Sequence, residues 1–282
     1  MLVDTLSPDD EDAFVALRVL TERLLFLLAA GICLSTTLIV AGCAPKPSSN
    51  SEALAPESTP ETAVSTSDLA APNTDLGVGL TSLHYAAGNG TDVITVLIDN
   101  GAEVDARDDR GFTPLRYAAG SSDDPGVLRT LINAGANVNA TSLNEGTPLF
   151  SAAFSNENPE ILTVLINAGA TVNVQNLNGS TPLSMAAQFN KNPEIVRVLI
   201  NAGAKLNTRD GSGNSPLMDS VGYGGSGPEV LTLLINAGAE VNARNNKGRT
   251  ALDIAMSMST FDNTRKIELL RAAGAKQSKD LP

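Results

Sequence analysis

A seven-residue signature recurs at near-constant spacing through the second part of the chain, beginning at Thr81 (TSLHYAA), Thr113 (TPLRYAA), Thr147 (TPLFSAA), Thr181 (TPLSMAA), Ser215 (SPLMDSV) and Thr250 (TALDIAM). The starts lie 32, 34, 34, 34 and 35 residues apart. A second motif holds phase with the first, reading VLIDNGAEVDA, TLINAGANVNA, VLINAGATVNV, VLINAGAKLNT, LLINAGAEVNA and finally LLRAAGAK. Such a period marks one supersecondary unit copied in tandem. A lone unit cannot cover its apolar side, so neighbours must stack into a continuous core. Residues 77–276 are thereby confined to a quasi-one-dimensional array in which each unit meets only its neighbours.

Within each unit the local chemistry predicts two helices. The Thr-Pro or Ser-Pro pair starts the first, because a hydroxyl caps free backbone N–H groups and Pro at the first helical position has no N–H to satisfy. Small residues follow at the Ala-Ala pair and suit close approach to the next unit. The second helix is predicted to start at Asp124-Pro125, Asn158-Pro159-Glu160, Asn192-Pro193-Glu194 and Gly227-Pro228-Glu229, again a cap, a Pro and, in three of them, an acid near the positive helix end. Apolar spacing continues it, as in Ile161, Leu162, Leu165 and Ile166. Each second helix stops where Gly101, Gly135, Gly169, Gly203, Gly238 or Gly274 can take a left-handed cap.

These two phase-locked motifs resemble the ankyrin repeat family over residues 77–276. The resemblance implies an all-α solenoid of six helix-turn-helix repeats, with a hairpin finger projecting between successive repeats. One extra residue before the Pro of the second helix accounts for a period of 34 where the family usually has 33. Three departures carry expectations of their own. In the second finger Glu145 stands where Gly is expected and Gly146 follows, which predicts a different bend there. The first repeat has no finger motif before it, and the last ends in a polar tail at 277–282. Both ends read as the atypical caps that a one-dimensional stack needs for solubility.

The N-terminal quarter is of another kind. Leu24 to Val40 form a 17-residue apolar run without charge, short of the roughly 20 residues of a membrane span and suited to the apolar part of a signal peptide. Val40-Ala41-Gly42-Cys43 resembles the lipobox of bacterial lipoproteins, which implies acylation of Cys43, with a chain such as palmitate, as the mature N-terminus. Six acids against Arg18 and Arg23 in residues 1–42 depart from the positive start of a signal peptide. Two accounts stay open, initiation near Arg18 to Leu20 or an acidic cytoplasmic extension, and an uncleaved anchor is the alternative to cleavage. Residues 43–76 are rich in Pro, Ser, Thr and Glu and are expected to be a disordered tether. Ala44 after the Cys, in place of an Asp that favours inner-membrane retention, points to the outer membrane facing the periplasm.

Composition narrows the chemistry. With one His, His84, and two Cys, Cys33 and Cys43, a nucleophile lacks its usual His base and a structural zinc lacks four ligands. No cofactor, metal or catalytic residue is expected. Gly222-x-Gly224-x-x-Gly227 matches a dinucleotide fingerprint in letters only, because it falls between the two helices of one repeat. Asp210-x-Ser212-x-Asn214 lacks the sixth-position Gly and twelfth-position Glu of a calcium loop and reads as a finger turn. Asp108-Asp109 and Asp123-Asp124 read as turn residues and caps, and His84 as a local brace of its helix start. The net charge of −12 argues against nucleic acid, although the N-terminal segments carry most of it. Residues 76–282 hold 16 basic and 20 acidic residues, a balance of −4.

For function, the resemblance implies binding of another protein by a monomeric, non-enzymatic stack. An inhibitor or immunity-type protein is the alternative, and an enzyme using surface carboxylates a third reading. In the family the partner surface consists of finger tips and the two positions after the Ala-Ala pair. Carried onto this chain, these include Phe112, Leu143, Phe154, Leu177, Phe189, Tyr223 and Met258, with Arg244, Lys247 and Arg249 on the fifth finger. Four of the eight aromatics beyond residue 42 fall there, and rings of this kind can anchor an interface.

Overall fold

The computed structural model describes residues 72–88, 90–222, 226–258 and 261–281, with side chains from 263 in the last segment. The apolar run, Cys43, most of the tether and Tyr223 lie outside them. Among the described residues there are twelve α-helices in six pairs. They are α1 (Ser82–Ala86) with α2 (Thr91–Asp99), α3 (Pro114–Ser121) with α4 (Pro125–Asn133), α5 (Pro148–Ser155) with α6 (Pro159–Asn167), α7 (Pro182–Phe189) with α8 (Pro193–Asn201), α9 (Pro216–Val221) with α10 (Pro228–Asn236), and α11 (Ala251–Ser257) with α12 (Phe261–Ala272). Each odd-numbered helix packs on the next odd-numbered one and each even on the next even, giving the two-layer solenoid that the period implies.

Most caps are those expected, but Ser215, whose hydroxyl is buried without a hydrogen bond, and Gly227 make no side-chain cap. Thr113, Thr147, Thr181 and Thr250 each accept a backbone N–H three residues on. The side chains of Asp124, Asn158 and Asn192 accept the N–H two residues on, at 2.8 to 3.0 Å. One leucine per helix forms the core: Leu83, Leu115, Leu149, Leu183, Leu217 and Leu252 in the first layer, Leu97, Leu131, Leu165, Leu199, Leu234 and Leu270 in the second, none more than 3% exposed. Burying each stabilises the stack by about 1.5–3 kcal/mol. The Ala-Ala pairs at 86–87, 118–119, 152–153 and 186–187 are fully buried, so the first helices approach closely.

Between repeats the chain turns through a six-residue finger with one recurrent geometry. In four fingers an Asp or Asn at the base, Asp108, Asn176, Asp210 or Asn245, accepts backbone N–H groups two and four residues on. A Gly three residues after the base, at 111, 179, 213 and 248, has φ of 73 to 76°. Successive tips are joined by one backbone bond each: Asp109 N–H to the Val78 carbonyl, Leu143 to Arg110, Leu177 to Asn144, Gly211 to Asn178 and Asn246 to Ser212, at 2.8 to 3.2 Å. The fingers are thus turns stitched by single rungs, and no described residue is in a β-strand.

Two expectations about the fingers are corrected. Glu145 does not bend the second finger differently. It takes the left-handed conformation itself, φ +61°, and its N–H bonds the Ser142 carbonyl at 2.9 Å as the glycines do in the other fingers. The rungs on both sides fix that geometry. A left-handed non-Gly residue costs about 1–2 kcal/mol, so Glu145→Gly should raise stability by about 1 kcal/mol in urea unfolding. The first repeat, in turn, does carry a finger, formed by residues that read as the end of the tether. There Asp75, one place earlier than the usual base, accepts from Gly77 and Gly79 at 2.8 and 3.0 Å.

Asparagines supply two more ladders. Asn73, Asn139, Asn173 and Asn242 each donate to the carbonyl of the capping Gly in the next repeat and accept an N–H two residues beyond it. In the loops between paired helices, Asn156 and Asn190 are 3% and 2% exposed and reach back to carbonyls of the preceding repeat. The extra residue of the 34-residue period lengthens this loop. At the far end the polar tail is ordered: a short 3-10 turn, Ser278–Asp280, is held by the Ser278 N–H on Asp253 at 2.9 Å and by the Thr250 hydroxyl on the Lys276 carbonyl at 2.9 Å. Burial pushes the Asp253 carboxyl up, and the N–H donors of Thr250 and Ser278 more than offset it, leaving its pKa lowered.

Candidate functional site

The residues assigned to partner binding from sequence separate into packed and projecting groups. Phe112 is 8% exposed. The Arg116 guanidinium carbon lies 3.9 Å from its ring centroid and Tyr117 meets its edge at 5.9 Å. Phe189 is also 8% exposed and packs edge-on against the half-buried Phe154, centroids 5.1 Å apart. Phe112 and Phe189 therefore fill space beneath the fingers and behind the first helices. Met258 is half-buried at the end of α11. Arg244 does not await a partner, because its guanidinium holds the tail carbonyls of Ser278 and Leu281 at 2.9 and 3.0 Å. Lys247 is exposed, and Arg249 is half-buried with its Nε buried and without a hydrogen bond.

Leu143 and Leu177 are different. They occupy the same position, one residue after the finger base, in adjacent fingers, and they are 73% and 65% exposed. The rung from Leu177 N–H to Asn144 O at 3.2 Å sets the two tips side by side. At the corresponding position the neighbouring fingers carry Asp109 on one side and Gly211 and Asn246 on the other, so the apolar pair sits in the middle of the row. Sequence reasoning missed Val78, 63% exposed at the first tip. Its signal was only its register with Arg110 and Asn144.

Behind the tips lies a row of polar side chains at the fourth and fifth signature positions. His84 accepts the Thr81 N–H on Nδ1 at 3.1 Å and so carries its proton on Nε2, which donates to the Phe112 carbonyl at 3.0 Å. It braces its own helix start, as expected, and also the next finger. Burial lowers its pKa, with the Phe112 carbonyl opposing. One repeat on, Arg116 does the same with a longer arm, donating to Ser142 Oγ at 2.5 Å and to the Gly146 carbonyl. Burial lowers its pKa to about 10, with Asp108 opposing, so it stays charged at neutral pH. The Tyr117 hydroxyl donates to Asp108 Oδ2 at 2.9 Å, and burial raises its pKa with that bond adding to the effect. The fifth repeat places Asp219 at the Tyr117 position, only 7% exposed. Its pKa is raised well above the ordinary value, first by burial and then by repulsion from Asp210.

These polar groups are committed to fingers and caps, and they do not converge on a cavity. A shallow cleft of about 250 Å³ between the ends of α4 and α6 is lined by Ile132, Val164 and their neighbours, away from this row. Among the described residues no cluster of His, Cys, Asp or Glu is arranged to hold a metal ion, and no helix is long and apolar enough to cross a membrane.

Comparison with known proteins agrees with this geometry. The family model for ankyrin repeats matches in three overlapping copies, at residues 61–142, 121–210 and 149–245. A protein of Rickettsia bellii (strain RML369-C) described as an ankyrin repeat protein is 52% identical over 50 residues, which is 17% of this chain and 21% of that one. The chain thus matches about a fifth of the length of that relative.

Proposed function

The chain belongs to the ankyrin-repeat family, and from that premise we propose that it is a protein-binding stack tethered to a bacterial membrane through a lipid on Cys43. Ankyrin repeats generally mediate interaction between proteins, and the observation that carries the reading here is the exposed pair Leu143 and Leu177 on adjacent fingers. Apolar side chains projecting together from a rigid ladder gain most when a partner covers them. The proposed tether rests on the apolar run ending in Val40-Ala41-Gly42-Cys43 and on the Pro/Ser/Thr-rich stretch after it. The favoured location is the periplasmic side of the outer membrane, on the identity of Ala44.

Cells making the full chain, labelled with palmitate and then treated with a protein crosslinker, test both parts. The wild type should incorporate label, fractionate with membranes and give one reproducible crosslinked species. Cys43→Ala should lose the label, and retention of label would refute the lipid anchor. The double variant Leu143→Ser, Leu177→Ser should stay labelled and lose the crosslinked species. Absence of any such species from the wild type would refute the binding role.

A further inference from the structure

We infer that the fourth finger is an acid-closed latch, in which the protonated side chain of Asp219 holds the finger base Asp210 and release of that proton loosens residues 210–214. The device goes beyond the binding role proposed above and does not depend on it.

The second repeat contains the permanent form of the same device. Tyr117 lies nine residues after the finger base Asp108, and its hydroxyl donates to Asp108 Oδ2 at 2.9 Å. The other oxygen, Oδ1, accepts the N–H groups of Arg110 and Phe112. One carboxylate thus joins its finger to the helix behind it. Asp219 lies nine residues after Asp210 and occupies the Tyr117 position on α9. Asp210 Oδ1 likewise accepts the N–H groups of Ser212 and Asn214, at 2.9 and 2.7 Å. The fifth repeat differs in the donor behind the base. A phenol keeps its proton across the neutral range, whereas a carboxyl donates only while it is protonated.

The surroundings of Asp219 make that proton decisive. The residue is only 7% exposed, and among the described residues none donates a hydrogen bond to its carboxyl. Ser215, one turn earlier on the same face of α9, keeps a buried hydroxyl without a hydrogen bond. The neighbouring elements bring no cation to it. On α7 there is no titratable residue, and Glu229 of α10 is exposed. The Asp253 carboxylate of α11 holds the N–H groups of Thr250 and Ser278. The Lys266 ammonium of α12 donates to the Ser220 carbonyl at 2.9 Å. Arg209 holds the carbonyls of Gly213 and Arg244, and Arg249 forms no ion pair with either carboxyl. Burial, and then repulsion from Asp210, keep the Asp219 carboxyl well above the usual carboxylate range, and burial raises Asp210 as well. The two therefore titrate as a pair. With one proton between them, Asp219 donates to Asp210, directly or through one water. With none, a buried carboxylate faces a half-buried one and pushes on the base of the finger. The latch is closed on the acid side of this titration and open on the alkaline side.

The bonds that run through the fourth finger define what opens. Its Gly211 N–H meets the Asn178 carbonyl of the third finger at 2.8 Å, and its Ser212 carbonyl meets the Asn246 N–H of the fifth at 3.0 Å. Exposed turns open locally at small free-energy cost while the packed helices stay folded. Deprotonation therefore uncouples the third finger from the fifth without unfolding the layers beneath. The third finger is the built-in reference, because its base, Asn176, makes the same bonds to Asn178 and Ser180 with a side chain that does not titrate.

Amide hydrogen exchange on the full chain in detergent, corrected for the intrinsic exchange rate at each pH, tests the latch. The amides of Ser212, Gly213 and Asn214 are compared with those of Asn178, Gly179 and Ser180. Between about pH 5 and about pH 8, protection in the fourth finger should fall about ten-fold while the third finger holds. Asp219→Asn, whose amide donates at any pH, should keep the fourth finger closed throughout. Asp210→Asn removes the other charge and should also abolish the pH dependence, so the test survives if one variant fails to fold. Protection that does not change with pH overturns the latch. So does an equal loss in both fingers, which would be global loosening, or a loss that persists in Asp219→Asn, which would assign the proton to another group. None of these outcomes bears on the crosslinked species in cells, so the binding role stands or falls separately.

Discussion

Asn190→Ala is expected to destabilise the stack by about 2–4 kcal/mol. The side chain is 2% exposed. Its amide donates to the carbonyls of Ala153 and Asn156 at 3.1 and 2.8 Å, and its oxygen accepts the Asn192 N–H at 2.9 Å. Truncation leaves three backbone groups from two repeats without these partners, and each buried group so stranded costs about 1–3 kcal/mol. The chain contains its own comparison. In the fifth repeat Ser226 takes this place and, among the described residues, its shorter side chain bonds the Ala187 carbonyl at 2.5 Å. Asn190→Ser should therefore lose distinctly less than Asn190→Ala, while Asn201→Ala at an exposed helix end should change stability by less than about 0.5 kcal/mol. Urea midpoints measure all three. Equal losses for the Ala and Ser variants would show that volume, not hydrogen bonding, sets the effect.

The second large effect is a gain. Asp219→Asn should stabilise the domain by on the order of 1–3 kcal/mol at pH 7.5, with the gain shrinking toward pH 4. The neighbouring comparison is Tyr117, whose hydroxyl donates to Asp108. At the same position Asp219 brings a second carboxyl toward Asp210, already the base of its finger. Because the folded pKa of Asp219 lies above its unfolded value, the folded chain binds the extra proton between the two. Stability from this residue is therefore full at acid pH and falls as pH rises through that window. His84 acts in the opposite sense. Its folded pKa is lowered, so protonation as pH falls through its unfolded pKa favours unfolding. Subtracting the variant from the parent at each pH removes that contribution. A difference that does not vary with pH would contradict the account of Asp219.

The parts of the fold that could be read in the letters are those whose causes are local. Thr-Pro and Asn-Pro pairs cap helices through bonds spanning two or three residues, and the paired leucines repeat because each unit buries the same stripe. The ladders were not legible, because the groups that Asn139 serves and the carbonyls that Asn190 holds are 30 to 37 residues away. Their recurrence was visible in the motif, but their purpose was not. Glu145 misled for a related reason: the geometry of its finger is imposed by rungs from both neighbours, so the residue adapts to the ladder. On the candidate surface, Leu143 and Leu177 could be placed from register alone. The burial of Phe112 and Phe189 depends on the bulk of Arg116 and Phe154, which no spacing rule supplies.

The rungs between fingers run from backbone to backbone, so the finger holds its shape whatever side chain follows its base. Asp109, Leu143, Leu177, Gly211 and Asn246 already fill that position with four residue types. On the binding role proposed above, mutation there changes what the surface recognises while leaving the scaffold intact. A lineage of such proteins can therefore drift from one partner to another by single substitutions, without passing through a misfolded intermediate. Selection on binding and selection on folding act on separate positions of the same short repeat.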